Sequence, residues 1–277
     1  MSGSTLVSTE ELSRHLAAWR VFDCRHDLAK PEVGEAQYRE AHIPGALFAH
    51  LERDLSGPKN GDNGRHPLPD RGAFIAWLGQ QGLAPHDQVV CYDAGNGAMA
   101  ARLWWMLRWV GHDAVAVLDG GLAKWVKEGR ALTAELPRFG HTSYPVLPLR
   151  DTALAVDELQ ERIDELLLID ARAPARYRGE EEPIDPVAGR IPGAKNRFNL
   201  HNLSAAGVFK KPEELRAEFK GLLGAASPSQ VVNYCGSGVA ACHNLLAMEI
   251  AGLRGAKLYA GSWSEWSADP SRPREKG

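Results

Sequence analysis

The sequence predicts an α/β protein written twice: two tandem domains, each a mostly parallel sheet covered by helices on both faces. Three observations predict this. Short segments of the first half return in the second half in the same order. Within each half, apolar β-branched runs alternate with helical stretches, as in a parallel sheet. The composition is that of an ordinary globular chain, with 277 residues, 44% hydrophobic and 24% charged.

The repeat sets the domain organisation. "VFDCR" at 21–25 returns as "LIDAR" at 168–172, and "AHIPGA" at 41–46 as "GRIPGA" at 189–194. "VVCYD" at 89–93 returns as "VVNYC" at 231–235, and "DGGLAKW" at 119–125 as "AGSWSEW" at 260–266. The offset is nearly constant. We expect a first domain over 1–135, a connecting arm over 136–150 and a second domain over 151–277. The arm lies in "TAELPRFGHTSYPVLPLR", which carries three prolines and no helical period.

The elements follow in order. In the first half "AWRVFD", "QVVCYD" and "AVAVLDGG" read as strands, with helices at "GAFIAWLGQQGL" and "ARLWWMLRWVG" between them. In the second half "LLLID" (166–170) is a buried strand and "PEELRAEFKGLL" (212–223) an amphipathic helix whose proline suits its first turn. "VVNYC" is the next strand, "AACHNLLAMEIAGL" (240–253) an apolar helix ending near Gly252, and "AKLYAG" the last strand. The tryptophans of "LWWMLRW" and "GSWSEW" read as core packing.

Charge and composition narrow the function classes. A net charge of −3 points to neither nucleic acid nor an acidic membrane surface. The sequence has no apolar run of about 18 residues, hence no expected membrane span. The start, "MSGSTLVSTEELSRHLAAW", lacks the apolar core of a signal peptide, so a cytoplasmic location is expected. The cysteines are Cys24, Cys91, Cys235 and Cys242, with no CxxC pair and no structural-zinc spacing. No metal or other cofactor is expected. Cys24, Cys91 and Cys242 fall in strand-like or helical runs and read as small buried residues.

Cys235 differs. It ends an apolar strand, is followed by Gly236, Ser237 and Gly238, and precedes a helix. Ligands of parallel sheets bind at the carboxyl ends of strands. Glycines here let backbone N–H groups turn inward as an anion-binding nest, and the helix adds the positive end of its dipole. Both favour a thiolate, which is a nucleophile. At the matching place the first half has Asp93, which suggests one active and one inactive copy. A phosphatase loop would need arginine six residues after the cysteine to clamp phosphate, and Ala241 stands there. Sulfur transfer needs no such clamp: the thiolate takes a sulfur and the nest stabilises the persulfide.

Taken together, "HIPGA" (42–46), "RLWWMLRWVGH" (102–112), "LDGGLAKW" (118–125), "DAR" (170–172), "RYRG" (176–179), "IPGA" (191–194) and "CGSGVAA" (235–241) resemble the tandem-domain rhodanese family of sulfurtransferases over essentially the whole chain. The resemblance implies a persulfide on Cys235 and an inactive N-terminal domain. It implies a donor-binding loop of Gly236, Ser237, Gly238, Val239 and Ala240, with Arg176 as the cation for the donor. Thiosulfate-type members usually carry basic residues directly after the cysteine. "CGSG" is uncharged and looks like the mercaptopyruvate type, with thiosulfate the alternative donor. That type implies a serine–histidine–acid relay, here Ser237, His66 in "GRHPLP", and Glu52, with Asp54 a nearby competitor for the acid. A second arginine is usual nine residues after the first. Asp185 stands there instead, and Arg178 and Arg190 are candidate substitutes. The expected partners are a small sulfur donor and a thiol acceptor, either a small thiol or a thioredoxin-like protein, with cyanide serving in assay. A non-catalytic rhodanese-like module is the competing class, disfavoured by the intact loop cysteine.

Overall fold

The structure, a computed structural model, describes residues 5–277. The chain divides into two compact units. One comprises the chain to Gly57 together with Leu68–Asp151, and the other comprises Pro58–Pro67 and Thr152–Gly277. The segment Pro58–Pro67, early in the sequence, therefore packs with the later half.

The first unit runs β1 (Leu6–Val7), α1 (Thr9–His15), β2 (Arg20–Asp23), α2 (Glu32–Glu40), β3 (Ala46–Phe48), α3 (Arg71–Gln80), β4 (Val89–Tyr92), α4 (Ala98–Trp109), β5 (Val115–Leu118) and α5 (Gly121–Lys127). Its five strands are all parallel, in the order β1-β5-β4-β2-β3. The second unit repeats the plan with β6 (Ala153–Leu154), α6 (Val156–Glu161), β7 (Leu167–Asp170), α7 (Pro174–Arg178), β8 (Lys195–Asn196), α8 (Pro212–Leu223), β9 (Val231–Tyr234), α9 (Ala240–Ile250), β10 (Lys257–Tyr259) and α10 (Ser262–Trp266). Its order, β6-β10-β9-β7-β8, is the same and again all parallel.

Burial shows why the strands read as unbroken apolar runs. All four residues of β4 and all four of β9 are buried. Successive side chains on a strand point to opposite faces, so each sheet is covered on both. The cores match position by position. Tyr92, Ile43, Leu12 and Trp125 in the first unit correspond to Tyr234, Ile191, Leu159 and Trp266 in the second. Trp104, Trp105, Trp125, Trp263 and Trp266 are all buried, as their place in the core requires.

The Asp-x-Arg that recurs after a strand in "VFDCR" and "LIDAR" is a buried ion pair in both units. Asp23 takes Arg25 in a bidentate grip, and Arg25 also reaches the Ala41 carbonyl at 2.7 Å. Asp170 takes Arg172 likewise, and Arg172 reaches the Gly189 carbonyl at 2.7 Å. The charges are paired and each arginine also reaches a main-chain carbonyl, which helps buried ions to be tolerated. These pairs tie the end of β2 and of β7 to the "IPGA" loops. The arm after α5 has no regular structure. It is held by Thr142, which donates to the Leu83 carbonyl at 2.6 Å, and by Tyr144, paired with His112 at 2.7 Å. Among the described residues, no helix is long and apolar enough to cross a membrane.

Candidate active site

Both units present the same loop after their central strand. In the first unit, the Asp93 carboxylate fills it. Oδ1 accepts from the amides of Gly95 (2.9 Å) and Gly97 (3.0 Å), and Oδ2 from those of Met99 (3.0 Å) and Ala100 (3.3 Å). Four amides on one side chain make the anion nest explicit. Burial nevertheless pushes the Asp93 carboxyl above its ordinary range, against the downward pull of those amides.

In the second unit Cys235 stands in that place. Its sulfur is buried and accepts the amide of Gly238 at 3.1 Å. Gly238 has φ +76°, and a Cβ there would lie 2.3 Å from the Ala260 carbonyl oxygen, so only glycine turns this amide onto the sulfur. Gly97 holds the matching conformation at φ +81°. Val239 caps α9 and Ala240 begins it, so the loop runs straight into a helix N-terminus. The Cys235 main chain is held from behind: its amide donates to Ser262 Oγ at 3.1 Å, and Ser262 Oγ donates to the Tyr259 carbonyl at 2.9 Å. Ser262 does this at φ 56°, which its counterpart in the first unit, Gly121, also adopts.

His66 lies within hydrogen-bonding reach of the loop, its Nδ1 2.8 Å from Ser237 Oγ, and both residues are buried. They sit in one compact unit because Pro58–Pro67 packs there. Glu52 lies in a turn of the first unit, half-buried, its amide on His50 Nδ1. Asp54, the competing acid, accepts from the His50 amide at 2.8 Å and from Arg53.

Two guanidiniums flank Gly236. A Cβ on that glycine would lie 2.8 Å from Arg65 Nη2 and 3.3 Å from Arg176 Nη2. Arg176 is the expected cation. Arg65 was not singled out by sequence, although it adjoins His66 in "GRHPLP". Burial lowers the Arg65 pKa, while the Cys235 sulfur pulls it upward and Arg176 pushes it further down. The suggested substitutes are engaged elsewhere. Arg178 pairs with exposed Glu180, and Arg190 pairs with Glu275 and lies over the Tyr177 ring. Asp185 is the hinge of the cluster, paired with both Arg65 and Arg176. Glu182, also missed, braces the loop. It accepts from Arg172 and Arg176 and from the amides of Ile184 and Asp185.

The remaining thiols are buried and form no disulfide. Cys242 donates to the Gly238 carbonyl at 3.3 Å, and burial holds the Cys24 thiol well above its ordinary range.

The sequence matches the Rhodanese-like domain over residues 8–128 and again over 155–269. It is 47% identical over 285 residues to a probable 3-mercaptopyruvate sulfurtransferase of Pseudomonas aeruginosa, spanning 100% of both chains. It is 38% identical to a putative thiosulfate sulfurtransferase of Mycobacterium tuberculosis, over 99% of this chain and 98% of that one. Among solved structures, the 3-mercaptopyruvate sulfurtransferase of Leishmania major superposes with a TM-score of 0.83 at 33% identity, over 96% of this chain and 75% of that one. The chain belongs to the tandem-domain rhodanese family of sulfurtransferases.

Proposed function

We propose that the protein transfers sulfur from 3-mercaptopyruvate to a thiol acceptor through a persulfide on Cys235. The observation that carries this is the pairing of a nucleophile nest with a proton relay. The Gly238 amide donates to Cys235 Sγ, and His66 Nδ1 stands 2.8 Å from Ser237 Oγ, two residues along the same loop.

The chemistry follows from those atoms. The Ser237 hydroxyl, donating to His66, takes up the proton of the donor thiol. The Cys235 thiolate attacks the donor sulfur, forming the S–S bond. The donor C–S bond breaks, its electron pair becomes the pyruvate enolate, and the relay returns the proton to that carbon. The products are pyruvate and a Cys235 persulfide, whose negative charge the inward amide stabilises. An acceptor thiolate then attacks the outer sulfur, leaves as its own persulfide and restores the Cys235 thiolate. Arg176 and Arg65, over Gly236, suit the donor carboxylate, since a guanidinium fork matches its two oxygens. The first unit is inactive in this reading, its nest filled by the Asp93 carboxylate. Four cysteines outside any disulfide fit a reducing, cytoplasmic setting.

Thiosulfate is the second reading. Two guanidiniums beside the nucleophile favour an anionic donor of either kind, and a relative carries that name. Steady-state rates with both donors decide. A pyruvate-releasing turnover that exceeds the sulfite-releasing one supports mercaptopyruvate, and a clear thiosulfate preference refutes it. Intact mass after donor treatment should show one added sulfur atom on the wild type and none on Cys235→Ser; a chain that never gains it is a binding module, not an enzyme.

A further inference from the structure

Position 185 carries a negative charge at the edge of a site that must bind an anion. The Asp185 side chain is only 2% exposed and is shared between Arg65 and Arg176, the two guanidiniums that flank Gly236. Its amide is pinned to Glu182 Oε1 at 3.1 Å, so the loop cannot swing the carboxylate away without breaking the brace. Behind this pair, Arg172 is held by Asp170 and Glu182. The cluster thus sets three guanidiniums, Arg65, Arg172 and Arg176, against three carboxylates, Asp170, Glu182 and Asp185. All are half-buried or buried, where charges are poorly screened.

We propose that Asp185 is a specificity-determining residue: by cancelling one guanidinium charge beside Cys235, it biases the site toward a monoanionic sulfur donor and against a dianionic one. This rests on the sulfurtransferase reading above. With three carboxylates balancing three guanidiniums, a donor with one charge is held mainly by the N–H groups of Arg65 and Arg176 that Asp185 and Glu182 do not occupy, and needs little net positive field. A donor with two charges gains twice as much from any added positive charge, and that charge is what Asp185 withholds. The carboxylate also orients both guanidiniums, so it sets geometry and charge together. Separating these effects requires a substitution that alters one and keeps the other.

Asp185→Asn keeps the shape and removes the charge, whereas Asp185→Glu keeps the charge. The kcat/KM for thiosulfate divided by that for 3-mercaptopyruvate should rise about tenfold in Asp185→Asn, mainly through the KM for thiosulfate, and stay near wild type in Asp185→Glu. A ratio unchanged in Asp185→Asn, or an equal fall for both donors, overturns the proposal. A second measurement does not depend on turnover. Alkylation of Cys235 by iodoacetate, an anion, relative to neutral iodoacetamide reads the local field. In the wild type this ratio should be nearly independent of salt, and in Asp185→Asn it should rise several-fold and fall with added salt. A wild-type ratio that drops steeply with salt overturns the proposal even if the variant does not fold. Wild type that turns over neither donor sinks the sulfurtransferase reading itself, while the alkylation result still decides the charge effect.

Discussion

His66 Nδ1 and Ser237 Oγ stand 2.8 Å apart although 171 residues separate them in the chain. The contact exists because Pro58–Pro67 leaves the first unit and packs with the second. It joins an imidazole to a hydroxyl two residues from Cys235, and it makes the first prediction.

His66→Ala should lower kcat/KM for 3-mercaptopyruvate by about 100-fold or more, the usual worth of a positioned general base. Thiosulfate carries no thiol proton at neutral pH, so its turnover should fall far less. Equal losses with the two donors would show that His66 shapes the pocket without moving a proton.

Gly238→Ala should cost about 2–4 kcal/mol of stability and abolish turnover. The new Cβ would lie 2.3 Å from the Ala260 carbonyl at a φ of +76°, so the loop must shift and withdraw its amide from the sulfur. Thermal unfolding and persulfide formation by intact mass check the two halves. An alanine variant that melts with the wild type and still gains sulfur would show the turn to be dispensable.

Ser262 makes a trade that two substitutions separate. Its φ of 56° costs about 1–2 kcal/mol for a residue with a Cβ. Its hydroxyl repays this by accepting the Cys235 amide and donating to Tyr259. Ser262→Gly removes strain and bonds together and should lose about 1 kcal/mol, whereas Ser262→Ala keeps the strain without the bonds and should lose about 2–3 kcal/mol. Chemical denaturation gives the order; alanine more stable than glycine would refute it.

Asp93 predicts a pH dependence. Burial raises its pKa in the folded chain, so the folded state holds the proton more tightly than the unfolded one. The stabilisation linked to that proton is present below the unfolded carboxyl range and is lost as pH rises through the folded value. The wild type should therefore lose stability relative to Asp93→Asn as pH climbs from the acid range toward neutrality. A difference that is flat, or that grows in favour of the wild type, would mean the four amides outweigh burial.

The sequence by itself determined the doubled α/β plan, because parallel strands buried on both faces read as unbroken apolar runs and because the Asp-x-Arg pairs, the "IPGA" loops and the tryptophans recur at one spacing. It also singled out Cys235 as the candidate nucleophile, since a strand end, glycines and a helix start are local features. Arg176 was pointed to only by the family resemblance of its segment, "RYRG". Tertiary structure alone decided which distant residues meet that loop. Arg65 became the second guanidinium over Gly236 and Glu182 the brace behind Arg176, while Arg178 and Arg190 were drawn off to Glu180 and Glu275. Asp185, which in sequence looks like a missing cation, is the carboxylate that holds the two remaining ones. Local spacing cannot show this, because an ion pair depends on which loops pack together, and that is settled only when Pro58–Pro67 has packed with Thr152–Gly277.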